Sequence, residues 1–436
     1  MSKDKSSSKI ISFFNEKKLF VIQKCFCFTV DYGFPRASAI ILALLTKNIN
    51  VKKGAKRIFC IGSLASLYDI NALIKKSHSH QYLYLPRFNF GYILRKFVDV
   101  SDLNADNYYV DKKYVDGREK AYNYISLMLP VLRGILKFDC LMTSNFGYVE
   151  QQEFVRITRE LGIPVVILYK EGLVNPRFVD KISRRYSTRK TQCDLFLCYN
   201  ETIKEALIKS NVDGLTDENV RATGVPRLDF YSNEKTSEAL NQITLFSFKA
   251  EDKFSNIVED EKTMAQLRKT IEDFHMYVIQ YACEHPDSKV VIKTKLSKRN
   301  LNFVNEIVRK YTGKCAPPAN LIVTDTGDAF AYIVESSCVL GCNSTVLLEA
   351  LLAGKTVVSP DFRFFFSHPS WSLFEGYEQL LTYVASYSDF VQLVGKSRQY
   401  TQDEEKALSD LFKQYIYSAD GKSSIRVEES ISQLLQ

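Results

Sequence analysis

The 436-residue sequence has one tryptophan and only five histidines, at 78, 80, 275, 285 and 368. That scatter forms no zinc-type spacing, and His78 with His80 is too little to hold a metal. His368, in "FFFSHPSW", reads as a loop residue rather than a catalytic base. There is no Walker sequence and no G-x-G-x-x-G. No two aspartates are separated by a single residue, so the D-x-D metal–nucleotide signature is missing and no bound metal is expected. The apolar runs, such as "AIILALL" at 39–45, stop far short of the ~18–20 residues that span a bilayer. The start, "MSKDKSSSKIISFFNEKK", is basic and serine-rich and lacks the apolar region and cleavage site of a secretory signal. These absences predict a cytoplasmic protein, soluble or peripheral at the inner face of the membrane. The N-terminal lysines with Phe13 and Phe14 suit contact with an anionic membrane; a frayed tail is the plainer reading.

What is present describes a globular chain: 46% hydrophobic and 25% charged residues, with 25 Tyr and 29 Phe. The net charge of +8 suits a phosphorylated ligand, an anionic glycan or an anionic membrane. No dense Arg/Lys stripe or nucleic-acid module accompanies it, so nucleic acid is not an expected partner. The ten cysteines sit mostly in apolar runs and read as reduced, packed thiols. Cys25 and Cys27, in a run read as a strand, would share one face.

Short β-branched or aromatic runs alternate with helix-length segments, the pattern of βαβ units and a mainly parallel sheet. Strands are expected at 19–30, 57–63, 140–145, 164–170 and 195–200, with helices at 35–48 and 148–162 between them. A second series follows, with strands at 243–248, 289–295, 320–325, 338–342 and 356–360 and helices at 261–284, 301–311, 328–336 and 344–354. The expected fold is α/β: two Rossmann-like, doubly wound parallel-sheet domains facing a cleft, with a helical C-terminal tail. The expected divisions are a basic tail at 1–18, an acceptor domain at 19–230, a donor domain at 231–400, and helices at 401–436 returning toward the first domain.

Five segments could carry chemistry. In "VLGCNSTVLLEALLAGKTVVSP" a strand ends at Gly341-Cys342, and Asn343, Ser344 and Thr345 open a helix whose N–H groups favour phosphate. Glu349, one turn on, is placed to meet a ribose, although the same motif starts helices in any α/β protein. In "RATGVPRLDFY", Arg227 suits a two-pronged pair with a phosphate or carboxylate, or else a salt bridge with Asp229. In "LYKEGLVNPRF" a strand delivers Lys170 and Glu171 to its carboxyl end; Glu171 is a candidate base, or the two form a strand-end ion pair. In "VVIKTKLSKR", Lys293 and Lys295 share a face and suit a diphosphate or an anionic sugar. In "VDYGFPRASAIILALL", Arg36 opposes the dipole of the helix it begins, a reason to seek an anionic substrate there.

Taken in order, these segments resemble bacterial surface-carbohydrate (capsule and O-antigen) biosynthesis proteins. These form a branch of the two-Rossmann, GT-B-like glycosyltransferases that includes Kdo-transferase and polyol-phosphate transferase domains. The resemblance runs from Arg36 to Pro360 through "RASAIILALL", Glu171-Gly172, "TGVPRLD", "LFSF", Lys293 and "NSTVLLEAL". Where the family often has Lys or Arg, Pro, His, Pro, this chain reads Lys293-Thr294-Lys295-Leu296, so no histidine phosphate clamp is carried over.

The resemblance implies a metal-independent glycosyltransferase that moves a sugar from a nucleotide-sugar donor to a glycan or lipid-linked glycan acceptor. No cofactor beyond the donor is implied. An acidic donor such as a CMP-linked ulosonic acid would suit the lysine-rich strand end. In this reading Arg227, Lys295, Asn343, Ser344, Thr345 and Glu349 hold the donor and Lys293 neutralises the leaving group. Glu171 activates the acceptor, and Arg36 and Lys170 bind it. The alternatives are a polyol-phosphate or sugar-phosphate transferase, a nucleotide-sugar 2-epimerase-like enzyme, and a non-catalytic glycan-assembly protein.

Overall fold

The computed structural model describes residues 19–77, 79–233, 241–313, 317–366, 372–394, 396 and 398–436. The tail expected at 1–18, His78 and His368 lie outside the described residues. The chain divides into two compact units. One is Met1–Arg227 with Tyr415–Tyr417 and Lys422–Gln436; the other is Leu228–Gln414 with Ser418–Gly421.

The first unit begins with two helices, α1 (19–31) and α2 (Pro35–Leu45). Then come β1 (Lys47–Asn48), β2 (Arg57–Gly62), α3 (Leu64–Lys76), β3 (Gln81–Pro86), α4 (Phe88–Phe97), α5 (Val115–Leu136) and β4 (Cys140–Thr143). They are followed by α6 (Gln152–Glu160), β5 (Val165–Leu168), α7 (Val179–Tyr186), β6 (Leu195–Cys198), α8 (Glu201–Lys209) and β7 (Val220–Ala222). The sheet order is β1-β3-β2-β4-β5-β6-β7, parallel except for the β1–β3 pair. Because β3 and β4 flank β2 on opposite sides, the winding reverses there.

The run at 19–30, expected as a strand, is a helix. Its buried residues Phe26, Thr29 and Val30 recur at three to four positions, a helical period, whereas Cys25 is exposed and Cys27 only partly covered. An apolar run of this length fits either element until its neighbours are known. Gly33 and Pro35 therefore join two helices, not a strand to a helix.

Strand β2 is covered on both faces, as a parallel strand is. Phe59 and Ile61 meet α1, α2, α5 and α6 in one core, while Ile58 and Cys60 meet Ile70, Tyr82 and Tyr84 in another. Val427 and Ile431 of the last helix, α16 (Ser423–Leu434), complete that second core, which accounts for its place in the first unit. Glu428 on the same helix is buried, accepting from Tyr82 Oη and pairing with His80 Nδ1 at 2.5 Å. In "TGVPRLD", Gly224 has φ +90°, and a Cβ there would lie 2.3 Å from Ser423 Oγ; only glycine lets α16 sit this close.

The second unit holds β8 (Gln242–Phe246), α9 (Ala250–Phe254), α10 (Glu261–Glu284), β9 (Lys289–Lys293), α11 (Lys298–Thr312), β10 (Leu321–Thr324) and α12 (Ala329–Val334). It continues with β11 (Cys338–Leu340), α13 (Thr345–Leu352), β12 (Thr356–Pro360), β13 (Thr382–Val384), α14 (Tyr387–Leu393) and α15 (Gln402–Ile416), whose last two residues belong to the first unit. α10 starts where Asp260 accepts from Thr263 N at 2.7 Å, an ordinary side-chain cap. The sheet is wholly parallel, in the order β10-β9-β8-β11-β12-β13. The chain winds outward from β8 through β9 and β10, then restarts on the other side with β11. The winding thus reverses between β8 and β11, and ligands of doubly wound sheets bind beyond the carboxyl ends of such strands.

Candidate anion site at the sheet reversal

In the second unit, the loop after β11 runs Gly341-Cys342-Asn343-Ser344 into α13. Asn343 has φ +38°, in the left-handed region that asparagine tolerates, and its Oδ1 accepts from Leu373 N at 2.7 Å. Ser344 is the N-cap, but its hydroxyl makes no capping bond to the first turn of α13, where Leu347 N donates to the Ser344 carbonyl at 3.0 Å. Thr345 is exposed at the first helical position.

Lys253 of α9 reaches this loop. Its Nζ donates to the Asn343 carbonyl oxygen at 2.9 Å. The side chain is half-buried, and among the described residues it forms no ion pair. Burial is the main influence and lowers the Lys253 pKa; Cys342 opposes it, the nearby Lys295 ammonium adds a smaller lowering, and Asp252 a still smaller support. A partly desolvated cation that faces a second cation, with no carboxylate paired to it among the described residues, is costly unless an anion arrives. Lys295 itself is exposed just past the end of β9. Lys293 is turned differently: its Nζ donates to the carbonyls of Thr294 (2.7 Å) and Asp325 (3.1 Å), and burial lowers its pKa.

Glu349, on the second turn of α13, accepts from Tyr231 Oη at 2.8 Å, and the Tyr231 ring packs on Phe330 with centroids 4.8 Å apart. Below the end of β8, buried His275 supports Ser247. Its Nδ1 faces the Ile271 carbonyl at 2.7 Å and so carries the proton, leaving Nε2 to accept from Ser247 Oγ at 2.9 Å. Burial drives the His275 pKa down to about 4, so the ring is neutral.

The first unit has a cavity of about 720 Å³ beyond the carboxyl ends of β2 and β3. Lys47, Arg87 and Arg95 line it, with Glu150 as the one acid and Gly62 and Ser63 at the strand end. Arg87 pairs with Glu150 and lies 4.0 Å over the Tyr148 ring. A Cβ on Gly62 would collide with Ser66 Oγ at 2.5 Å and stand 3.6 Å from Ser144 Oγ, a buried hydroxyl with no hydrogen-bond partner among the described residues.

Lys170 and Glu171, just past β5, form an ion pair at 3.3 Å, with Glu171 about half exposed and Lys170 Nζ 5.7 Å above the Tyr148 ring. Burial opposes the Lys170 charge, but Tyr148 and Glu171 outweigh it and the pKa is raised. Arg227 is the last residue of the first unit's long segment, and its partner is Asp69, remote in sequence. Arg227 Nη1 lies 3.2 and 3.3 Å from the two Asp69 oxygens and 2.5 Å from Tyr199 Oη. Arg36 is exposed on the first turn of α2, preceded by a helix instead of a strand end, so the fold removes the strand-end argument for it.

The structure therefore gathers Lys295, Asn343, Ser344 and Thr345 around Lys253, with Glu349 further along α13. Glu171, Lys170, Arg227 and Arg36 belong to the first unit. Sequence reading missed Lys253, Tyr231, Asp69 and Arg87. For Lys253 a signal existed: it lies on the first helix after the first strand of the second series, where a doubly wound sheet presents residues to its ligand. Among the described residues, no group of three His, Cys, Asp or Glu side chains is placed to hold a metal ion.

No protein-family model matches the chain, and no curated protein does. Solved structures do. The wall teichoic acid polymerase TagF is 12% identical over 96% of this chain and 98% of its own, with a TM-score of 0.50. The UDP-GlcNAc 2-epimerase from Methanocaldococcus jannaschii is 10% identical over 87% and 99%, with a TM-score of 0.49. The UDP-GlcNAc 2-epimerase from Neisseria meningitidis, solved bound to UDP-GlcNAc, is 13% identical over 86% and 100%, with a TM-score of 0.47. At such identities the TagF likeness concerns the fold alone: two doubly wound parallel-sheet units in series, of the GT-B type.

Proposed function

We propose that the protein is a glycosyltransferase that takes a sugar from a nucleotide-activated donor and passes it to a bacterial surface glycan or its lipid-linked precursor. The observation that carries this reading is Lys253, an ammonium without a carboxylate partner among the described residues, set against an uncapped helix start where the second sheet reverses. A donor phosphate supplies the missing negative charge there. Lys253, Lys295 and the first-turn N–H groups of α13 would hold it, and Glu349, steadied by Tyr231, would hold the ribose.

In the reaction, the bond from the anomeric carbon to the donor phosphate oxygen breaks as the acceptor oxygen bonds to that carbon. Charge grows on the departing phosphate, and Lys253 and Lys295 meet it with a fixed positive field, an effect that needs no metal. The acceptor is proposed for the first unit, which holds a cationic cavity beyond β2 and β3, and exposed Glu171, past β5 in the same unit, is the proposed base for its hydroxyl. An acidic donor sugar, such as a CMP-linked ulosonic acid, suits the second cation, Lys295.

Thermal-shift measurements with CMP, CDP, UDP and GDP test this reading and name the base. One nucleotide should raise the Tm of the wild type and fail to do so for Lys253→Ala. Absence of a response to all four would overturn it. Nucleotide release that requires added acceptor separates transfer from epimerisation.

A further inference from the structure

Beyond that reading, and independent of it, the outer sides of α1, α2 and the C-terminal half of α5 expose large apolar side chains. From Ala39 to Leu45, α2 is apolar on every side. Ala39, Leu42 and Leu45 enter the core, yet Ile40 and Leu44, on the other side, are 51% and 68% exposed. A helix of this composition is normally covered on every side. α1 repeats the pattern: Phe26 and Val30 are buried, while Phe28 and Tyr32 are exposed with their rings 4.4 Å apart. Phe34, in the turn between the two helices, is exposed as well.

α5 packs along α2, and Tyr124 ties all three helices together, with its Oη 2.6 Å from Ser38 Oγ and 3.3 Å from the Thr29 carbonyl. Since the three helices send their opposite sides into one core, their outward sides adjoin; α5 adds exposed Leu127 and Ile135.

The charges on these segments decide what covers the face. Residues 19–46 and 123–137 carry Lys24, Arg36, Arg133 and Lys137 against a single carboxylate, Asp31. Asp31 accepts from Tyr92 Oη at 2.8 Å, and among the described residues none of the four cations forms an ion pair. A second copy of the same face would oppose like charges, whereas an anionic bilayer satisfies both the apolar side chains and the cations. No described helix is long and apolar enough to cross a membrane, so the helices would lie in its surface. We infer that this three-helix face docks the protein on an anionic lipid bilayer, with the aromatic turn around Tyr32 and Phe34 entering the headgroup layer.

Vesicle co-sedimentation of the full chain tests the inference, using phosphatidylcholine vesicles with and without 30% phosphatidylglycerol. The wild type should bind the anionic vesicles at least tenfold more tightly than the neutral ones, and high salt should weaken that binding. The double variant Ile40→Asp with Leu44→Asp changes only exposed side chains and keeps residues 1–18. It should lose at least tenfold in binding while keeping the wild-type Tm and far-ultraviolet spectrum. Arg133→Glu, chosen in case the double variant misfolds, should weaken anionic binding severalfold. Three results would each overturn the inference: undiminished binding by both folded variants, equal binding to the two vesicle types, or no vesicle binding at all. A dimer lost in the double variant, with no vesicle binding, would assign the face to a second copy instead.

Discussion

The Lys253 ammonium donates to the Asn343 carbonyl oxygen across 2.9 Å and so joins the helix after β8 to the loop after β11. These are the two strands between which the second sheet reverses. A half-buried ammonium held by one carbonyl, with a second lysine near it, is poorly matched electrostatically until an anion binds. Lys253→Ala should therefore weaken nucleotide binding by about 10–100-fold, the value of a charge-assisted hydrogen bond. The ligand-free variant should melt at or above the wild-type Tm, because a partly desolvated charge with no ion pair among the described residues has been removed. Calorimetric titration and melting of the free protein check the two halves separately; a lower Tm with unchanged affinity would make Lys253 merely structural.

The 2.8 Å bond from Tyr231 to Glu349 gives a milder test. Tyr231→Phe keeps the ring packing on Phe330 and removes only the hydroxyl. The expected loss is about 1 kcal/mol of nucleoside affinity, roughly fivefold. Competition binding should show a larger loss for Glu349→Ala, and the difference between nucleoside and 2′-deoxynucleoside should shrink in that variant.

Arg227 distinguishes a structural role from a ligand role. Its guanidinium is 24% exposed and pairs with Asp69, which is 2% exposed. Burial raises the Asp69 pKa, with Arg227 the main opposing influence. Removing Arg227 would strand that carboxyl, so Arg227→Ala should cost about 3–5 kcal/mol in urea unfolding. If unfolding is unchanged and only nucleotide binding falls, Arg227 acts on ligand instead.

His275 makes stability depend on acid. Its folded pKa of about 4 lies below its ordinary 6.5, so folding favours the neutral ring. The stabilisation is complete above pH 6.5, declines as pH falls below that value, and is lost by about pH 4. A shift of this size corresponds to about 3 kcal/mol at most. Urea midpoints at pH 7 and pH 4.5 should differ less in His275→Gln than in the wild type.

Parts of this organisation were legible in the linear chain. The capped run 261–284 and the alternation from 243 to 360 follow from periodicity and turn chemistry, which act over a few residues. The helix start at Ser344 was legible for the same reason, since capping is local. The run at 19–30 was misread because continuous apolar character satisfies either period. Strand β3, "QYLYLP", was passed over although Tyr82 through Leu85 are all buried on the sheet.

By itself, the sequence determined the α/β class, most strand–helix alternations of the second unit, and the presence of lysines near strand ends. Only the tertiary structure decided which strands are neighbours, and with them where the winding reverses. It brought Lys253 to Asn343, 90 positions away, and Asp69 to Arg227, 158 away. It also left one side of α2 uncovered. Propensity and capping are short-range and can be read along the chain; burial, charge pairing and exposure depend on which distant segments share a surface, and that is settled only when the sheets assemble.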